Sequence, residues 1–172
     1  MNTHGLNNDT WPLDHALPLM ASAQHHGIPT RLLDWTSNPL VAAYFAAADV
    51  VGSDGPIYSD SKLAIFDFTF NEYQRDVGYR HARVPGSTSV NLAAQSASFL
   101  LVKNSGTRGT TFPPGVSLEQ RLRENAGGSE RLIKHTLSHR LAGELLNRCR
   151  NFGINAASIF TSSGASARHF RK

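Results

Sequence analysis

The sequence predicts a single α+β domain built on a mixed, mostly antiparallel sheet with flanking helices. Three observations lead there. The chain has 172 residues and 40% hydrophobic content, which is the size of one domain with one core. Segments with two-residue apolar alternation interleave with segments that carry helix start and stop signals. Their order follows no regular βαβ repeat, which argues against a parallel, doubly wound sheet. No internal repeat is present either.

Residues 1–11 are polar and are expected to form a flexible segment ahead of a domain spanning 12–172. A first helix is predicted over 18–26, with Pro18 tolerated in the opening turn and Gly27 as its left-handed stop. Ile28-Pro29 forces an extended path, because the residue before proline avoids the helical region. Residues 30–35 then read as a short strand. Thr36-Ser37-Asn38-Pro39 is a helix start, with a hydroxyl or amide at the cap and proline at the first helical position. The helix that follows, LVAAYFAAADV, is apolar on nearly all sides and should be buried.

KLAIFDFTF, residues 62–70, alternates with period two and puts Ala64, Phe66, Phe68 and Phe70 on one face of a strand. Residues 71–90 read as a polar connection carrying Arg75, Arg80, His81 and Arg83. NLAAQSASFLLV returns to the core as either helix or strand, and residues 104–115 form a loop rich in Gly, Thr and Pro. Ser117-Leu118-Glu119-Gln120 matches a capping box for a short helix with Leu118, Leu122 and Ala126 on one face and Gly127 as its stop. A strand over 131–137 precedes a helix capped by Ser138, whose stripe is Leu141, Leu145, Cys149 and Phe152. Gly153 ends it, and 154–160 reads as a last strand.

Charge is distributed unevenly. Residues 1–75 hold three Lys or Arg against eight Asp or Glu, and residues 76–172 hold fourteen against five. The second half is thus a candidate surface for nucleic acid or an acidic partner, or simply a solvated basic face. One cysteine cannot form an internal disulfide, and the N-terminus shows no basic and then apolar leader, so a soluble cytoplasmic protein is expected. No stretch approaches the ~20 apolar residues of a membrane helix. No metal is expected: the remaining histidines, at 4, 15, 81, 135, 139 and 169, share no ligand spacing with His25 and His26. A serine hydrolase is disfavoured by the lack of a Gly-x-Ser-x-Gly elbow.

Chemistry-bearing residues concentrate in AQHHGIPTRLLDWTSNPLVAAYFA, residues 23–46. This stretch resembles the central signature of the FRG-domain family: an Ala-Gln-His run with Gly, then Pro-Thr-Arg-Leu-Leu-Asp-Trp-Thr, then a helix ending Tyr-Phe-Ala. NLAAQSASF and ELLNRCRNFGINAASIF are similar to its later segments. The Phe or Tyr-Arg-Gly motif that names the family is expected upstream of the histidines and is not matched there; Arg108-Gly109 lies far downstream. The chain is therefore read as a divergent or N-terminally truncated member.

A looser likeness connects the strand and helix of this stretch to the middle of ADP-ribosyltransferases. It implies an ADP-ribosyltransferase-like fold, NAD as substrate and a site whose catalytic candidates are His25, Arg31, Asp34 and Gln95. Gln95 stands where the glutamate of those enzymes is sought. The candidate ligand contacts are His26, Thr30, Trp35, Thr36, Ser37 and Tyr44. NAD cleavage passes through a cationic ribosyl group, so a carboxylate such as Asp34, a pyrophosphate donor such as Arg31 and an aromatic surface such as Trp35 suit it.

Each residue also has a structural reading. Arg31 and Asp34 can pair or brace a turn, Trp35 can be core, and Thr36 and Ser37 can be caps. A capped helix start is also an anion site. One histidine can serve the helix dipole while the other acts as acid, base or ribose partner. Strand alternation puts Arg31, Leu33 and Trp35 on one face and Leu32 and Asp34 on the other. The rival function is a non-catalytic module that holds nucleic acid or an acidic partner through the basic second half, including Arg121, Arg123, Arg131 and Lys134.

Overall fold

Glycine and proline punctuate the first helix and strand where the backbone demands them. A computed structural model describes residues 14–55, 60–69, 79–83, 90–102, 117–120 and 131–160. A 3-10 turn at Asp14–Ala16 leads into helix α1 (Leu17–His25). Gly27, at φ +84°, turns the chain so that its own N–H donates to the Gln24 carbonyl and the Ile28 N–H to the Ala23 carbonyl. This is a left-handed helix stop in which glycine avoids the Cβ penalty. Strand β1 (Leu32–Thr36) follows, then helix α2 (Pro39–Gly52). Asn38 is the N-cap of α2, its side chain accepting from the Leu40 N–H, with Pro39 in the first turn.

Strands β2 (Lys62–Thr69) and β5 (Arg131–Ser138) form an antiparallel pair. Strands β1, β4 (Ala97–Val102) and β3 (Tyr79–Ala82) form an antiparallel sheet in the order β1-β4-β3. Helix α3 (Val90–Ala94) precedes β4, while α4 (Ala142–Asn151) and the short α5 (Ala156–Ile159) follow β5. The molecule is an α+β fold in which every strand pairing among the described residues is antiparallel.

The register sorts side chains into layers. Leu32, Phe99, Leu101 and Ala82 pack against Leu17 and Ala21, so α1 covers one face of the three-stranded sheet. The opposite face offers Tyr79, Leu100 and Val102, which cluster with Leu118, Trp35, Phe68 and Leu132. Phe68 is the link between the sheets, 5.7 Å from the Trp35 ring and 5.3 Å from the Tyr79 ring. On its other face the β2–β5 pair meets the helices: Leu63 packs with Ala47, Val50 and Ala142, and Ile65 lies against the cluster of Val41, Tyr44, Cys149 and Ile159. As the sequence predicts, α2 is largely buried.

Several expectations are corrected. Leu63 and Ile65 of β2 face the helices, and on the opposite face Phe68 packs in the seam while Phe66 is 41% exposed with the Lys134 ammonium 5.6 Å from its ring centroid. Strand β3 lies inside the stretch expected to be a polar connection; its four residues, Tyr-Arg-His-Ala, are too few and too polar to announce a strand. NLAAQSASFLLV proves to be both types, α3 and then β4, divided at Ser96 with φ 48°.

Ser138 makes no side-chain cap bond; a 3-10 turn at His139–Leu141 comes first, with the His139 N–H donating to the Ser61 carbonyl. The buried stripe of α4 runs through Ala142 and Cys149, flanked by Leu145 and Leu146, and leaves Leu141 and Phe152 exposed. The expected last strand is instead α5. Asn155 accepts from the Ala157 and Ser158 N–H groups while the Ser158 hydroxyl accepts from the Asn155 N–H, and this reciprocal cap starts a helix. At Ser117 the capping bond to the Gln120 N–H is present. Segment 1–11, expected to be flexible, the expected loop 104–115, Phe70, Arg75 and the part of the expected helix beyond Gln120 lie outside the described residues. No helix among the described residues is long and apolar enough to cross a membrane.

Candidate functional site

The last turn of α1 and the start of β1 meet where Gly27 and Pro29 reverse the chain. Strand alternation turns Leu32, Asp34 and Thr36 toward the α1 side of the sheet and Trp35 toward the other, as the sequence predicts. Asp34 therefore arrives beside Gln24. The Gln24 Nε2 donates to Asp34 Oδ1 and Oδ2 at 2.9 Å each. The Thr30 hydroxyl donates to Gln24 Oε1, and its oxygen accepts from the Leu32 N–H at 3.2 Å.

Neighbouring atoms desolvate the Asp34 carboxyl and push its pKa above the usual aspartate value, while the Gln24 bonds pull the other way. The carboxylate nonetheless stands at an exposed corner. His25 and His26, also exposed, hold their rings edge to face 5.6 Å apart at the end of α1. Thus Asp34, Thr30 and the two histidines share one corner. Arg31 precedes the strand, and its Nη2 reaches the Val102 carbonyl at 3.4 Å.

The other candidates have different surroundings. Thr36 donates to the Gln95 carbonyl at 2.7 Å and accepts from the Asn38 N–H at 3.0 Å. The Ser37 N–H donates to the Ser96 carbonyl at 3.1 Å, with the Ser37 hydroxyl 3.4 Å from the same oxygen. These residues join the end of β1 to the turn after α3, and Gln95 enters through its backbone. Trp35 packs in the seam between the sheets, where its Nε1 is buried with no hydrogen-bond partner among the described residues. Tyr44 is not brought to the corner at all. It is 7% exposed in the core between α2 and α4, where burial, and then the neighbouring Cys149, push its hydroxyl pKa up.

Gln24 is the residue that sequence reasoning passed over. It was visible in the Ala-Gln-His run, directly before the histidines, but only the helix-to-strand packing shows that it holds Asp34.

Residues 2–54 match the family model named FRG domain. Over this segment the chain is similar to the FRG domain. The matched segment contains the whole α1–β1 corner and ends just past α2, so Gln24, Thr30 and Asp34 all lie within it. The strands that bury Trp35, β3 and β4, and its partner Phe68 in β2 lie beyond it. No curated protein and no solved structure gives a significant match to the chain.

Proposed function

We propose that the FRG domain is a nucleotide-handling module of the ADP-ribosyltransferase type, or a degenerate relative of one, with NAD as its substrate in the cytoplasm. The observation that carries this reading is Asp34: a carboxylate with a raised pKa, standing at an exposed corner and oriented by an amide that is itself oriented by a hydroxyl. Perturbed titrating groups held in this way are characteristic of sites that do chemistry.

In the reaction, the bond between the ribosyl C1′ and the nicotinamide nitrogen breaks, and nicotinamide leaves neutral with the bonding pair. Positive charge develops on the sugar, where a fixed carboxylate lowers its energy. An acceptor nucleophile then bonds to C1′ and releases one proton, for which His25 is the nearby base candidate in this reading. His26 and Thr30 flank the sugar, and Arg31 serves the pyrophosphate. Trp35, Thr36, Ser37, Gln95 and Tyr44 have structural duties sufficient to account for them.

The test is to incubate the purified protein with NAD, with and without cell extract, and follow nicotinamide release and transfer of labelled ADP-ribose. Asp34→Ala should lower turnover by about 100-fold. No release, no transfer and no calorimetric NAD binding by the unaltered protein would defeat the proposal.

A second reading, an interaction module for nucleic acid or an acidic protein, is favoured by one observation: Lys134, Arg140, Arg148 and Arg150 are all exposed on β5, the turn after it and α4. Arg148 is paired with Glu144 at 2.6 Å, which blunts that surface. Retention that weakens steeply with salt would support this reading.

A further inference from the structure

We infer that Gln24 is a positioning residue of this corner, filling the chelating edge of the Asp34 carboxylate so that only its outer lone pairs face a ligand. The inference rests on the proposed function for the ligand's identity, but not for its geometry.

Gln24 Nε2 lies 2.9 Å from both Oδ1 and Oδ2. It therefore sits in the mouth between the two oxygens and blocks the edge that a bidentate guanidinium or a pair of sugar hydroxyls would otherwise occupy. The amide is held in one orientation. The Thr30 oxygen already accepts from the Leu32 N–H, leaving its proton for Gln24 Oε1. Turning the amide over would set a donor against that hydroxyl proton and an oxygen against the carboxylate. The other charged or titratable groups on the elements around Asp34 are Arg31 directly before β1, His25 and His26 at the end of α1, Asp14 and His15 in the turn before it, and Arg80, which lies on the same sheet face beyond β4. Of the groups whose contacts with Asp34 are defined, Gln24 is the one that grips both oxygens.

The test is to titrate the Asp34 carboxyl carbon by NMR in the unaltered full chain and in Gln24→Leu, Gln24→Glu and Thr30→Val, each with its fold checked by the amide spectrum. Gln24→Leu removes a bond that favours the anion, so Asp34 should titrate higher. Thr30→Val frees the amide and should move it in the same direction by less. Gln24→Glu sets a second carboxylate against the first. The pair should then share one proton, with its upper apparent pKa at least one unit above that of unaltered Asp34.

If all folded variants titrate as the unaltered protein does, Gln24 does not grip Asp34 and the inference falls, whatever NAD does. If the titrations move as expected and NAD is neither bound nor cleaved, the positioning stands and the proposed function fails.

Discussion

At the scale of single residues, Asp34 costs the folded chain stability where it stands. Desolvation raises its folded pKa above the ordinary 3.8. Between 3.8 and the folded value, the native chain therefore binds more protons than the unfolded one. Stability attributable to this group is fully present below that window, falls as pH rises through it and stays lower above. Asp34→Asn removes the titration, so the unfolding free energy of the variant minus that of the unaltered protein should be larger at pH 7 than at pH 3. Urea unfolding at pH 3, 5 and 7 measures it, and a gap independent of pH would show that Asp34 is as solvated folded as unfolded. The side of β1 that Asp34 faces was legible, because alternation along a strand is purely local. Gln24 was not, because its contact joins a helix to a strand ten residues later. Tyr44 also misleads at this scale: a tyrosine in the quoted signature suggests ligand contact, yet its neighbours Val41, Ala43 and Ala48 are the kind that fill a core.

At the scale of elements, whatever depends on neighbours in sequence was legible. Gly27 and Gly153 stop α1 and α4 by the same device: the residue after each glycine donates back to a carbonyl in the last turn, Ile28 to Ala23 and Ile154 to Cys149. The start of α2 is equally local. Asn38→Ala removes the acceptor of the Leu40 N–H, a bond of 3.0 Å, and should cost about 1 kcal/mol. Because Val41, Tyr44, Ala47 and Ala48 tie α2 into the core, the loss should appear in the global unfolding midpoint rather than as local fraying. An unchanged midpoint would mean that water replaces the cap without penalty. α5 escaped the sequence because its capping box uses Ser158 where glutamate or glutamine is the usual signal. β3 escaped because four residues carry too little pattern to separate from a loop.

At the scale of the whole molecule, the question is what makes the two sheets one body. They share no ladder among the described residues, so strand pairing does not join them. The middle is held by Phe68, which touches Trp35 of one strand and Tyr79 of another. This junction could not be read from the sequence: Phe66 and Phe68 have the same parity in the same strand, yet one is exposed and the other is central. The difference is set by what lies opposite. Phe68 faces Leu132 across the pair and the aromatic face of the other sheet, whereas Phe66 faces Lys134. The junction also ties the corner to the remainder of the chain, since Trp35 follows Asp34 directly while its partners fall outside the matched FRG segment. Phe68→Ala should accordingly cost about 2 kcal/mol, below the range for a fully buried phenylalanine because this ring is half-buried. Amide exchange locates the damage. Protection should fall together in β1, β4 and β3 and in the β2–β5 pair, while the Val41, Cys149 and Ile159 cluster between α2 and α4 keeps more of its own. Loss confined to β2 and β5 would show that the sheets are coupled through α2 instead, and that the Asp34 corner does not depend on the aromatic seam.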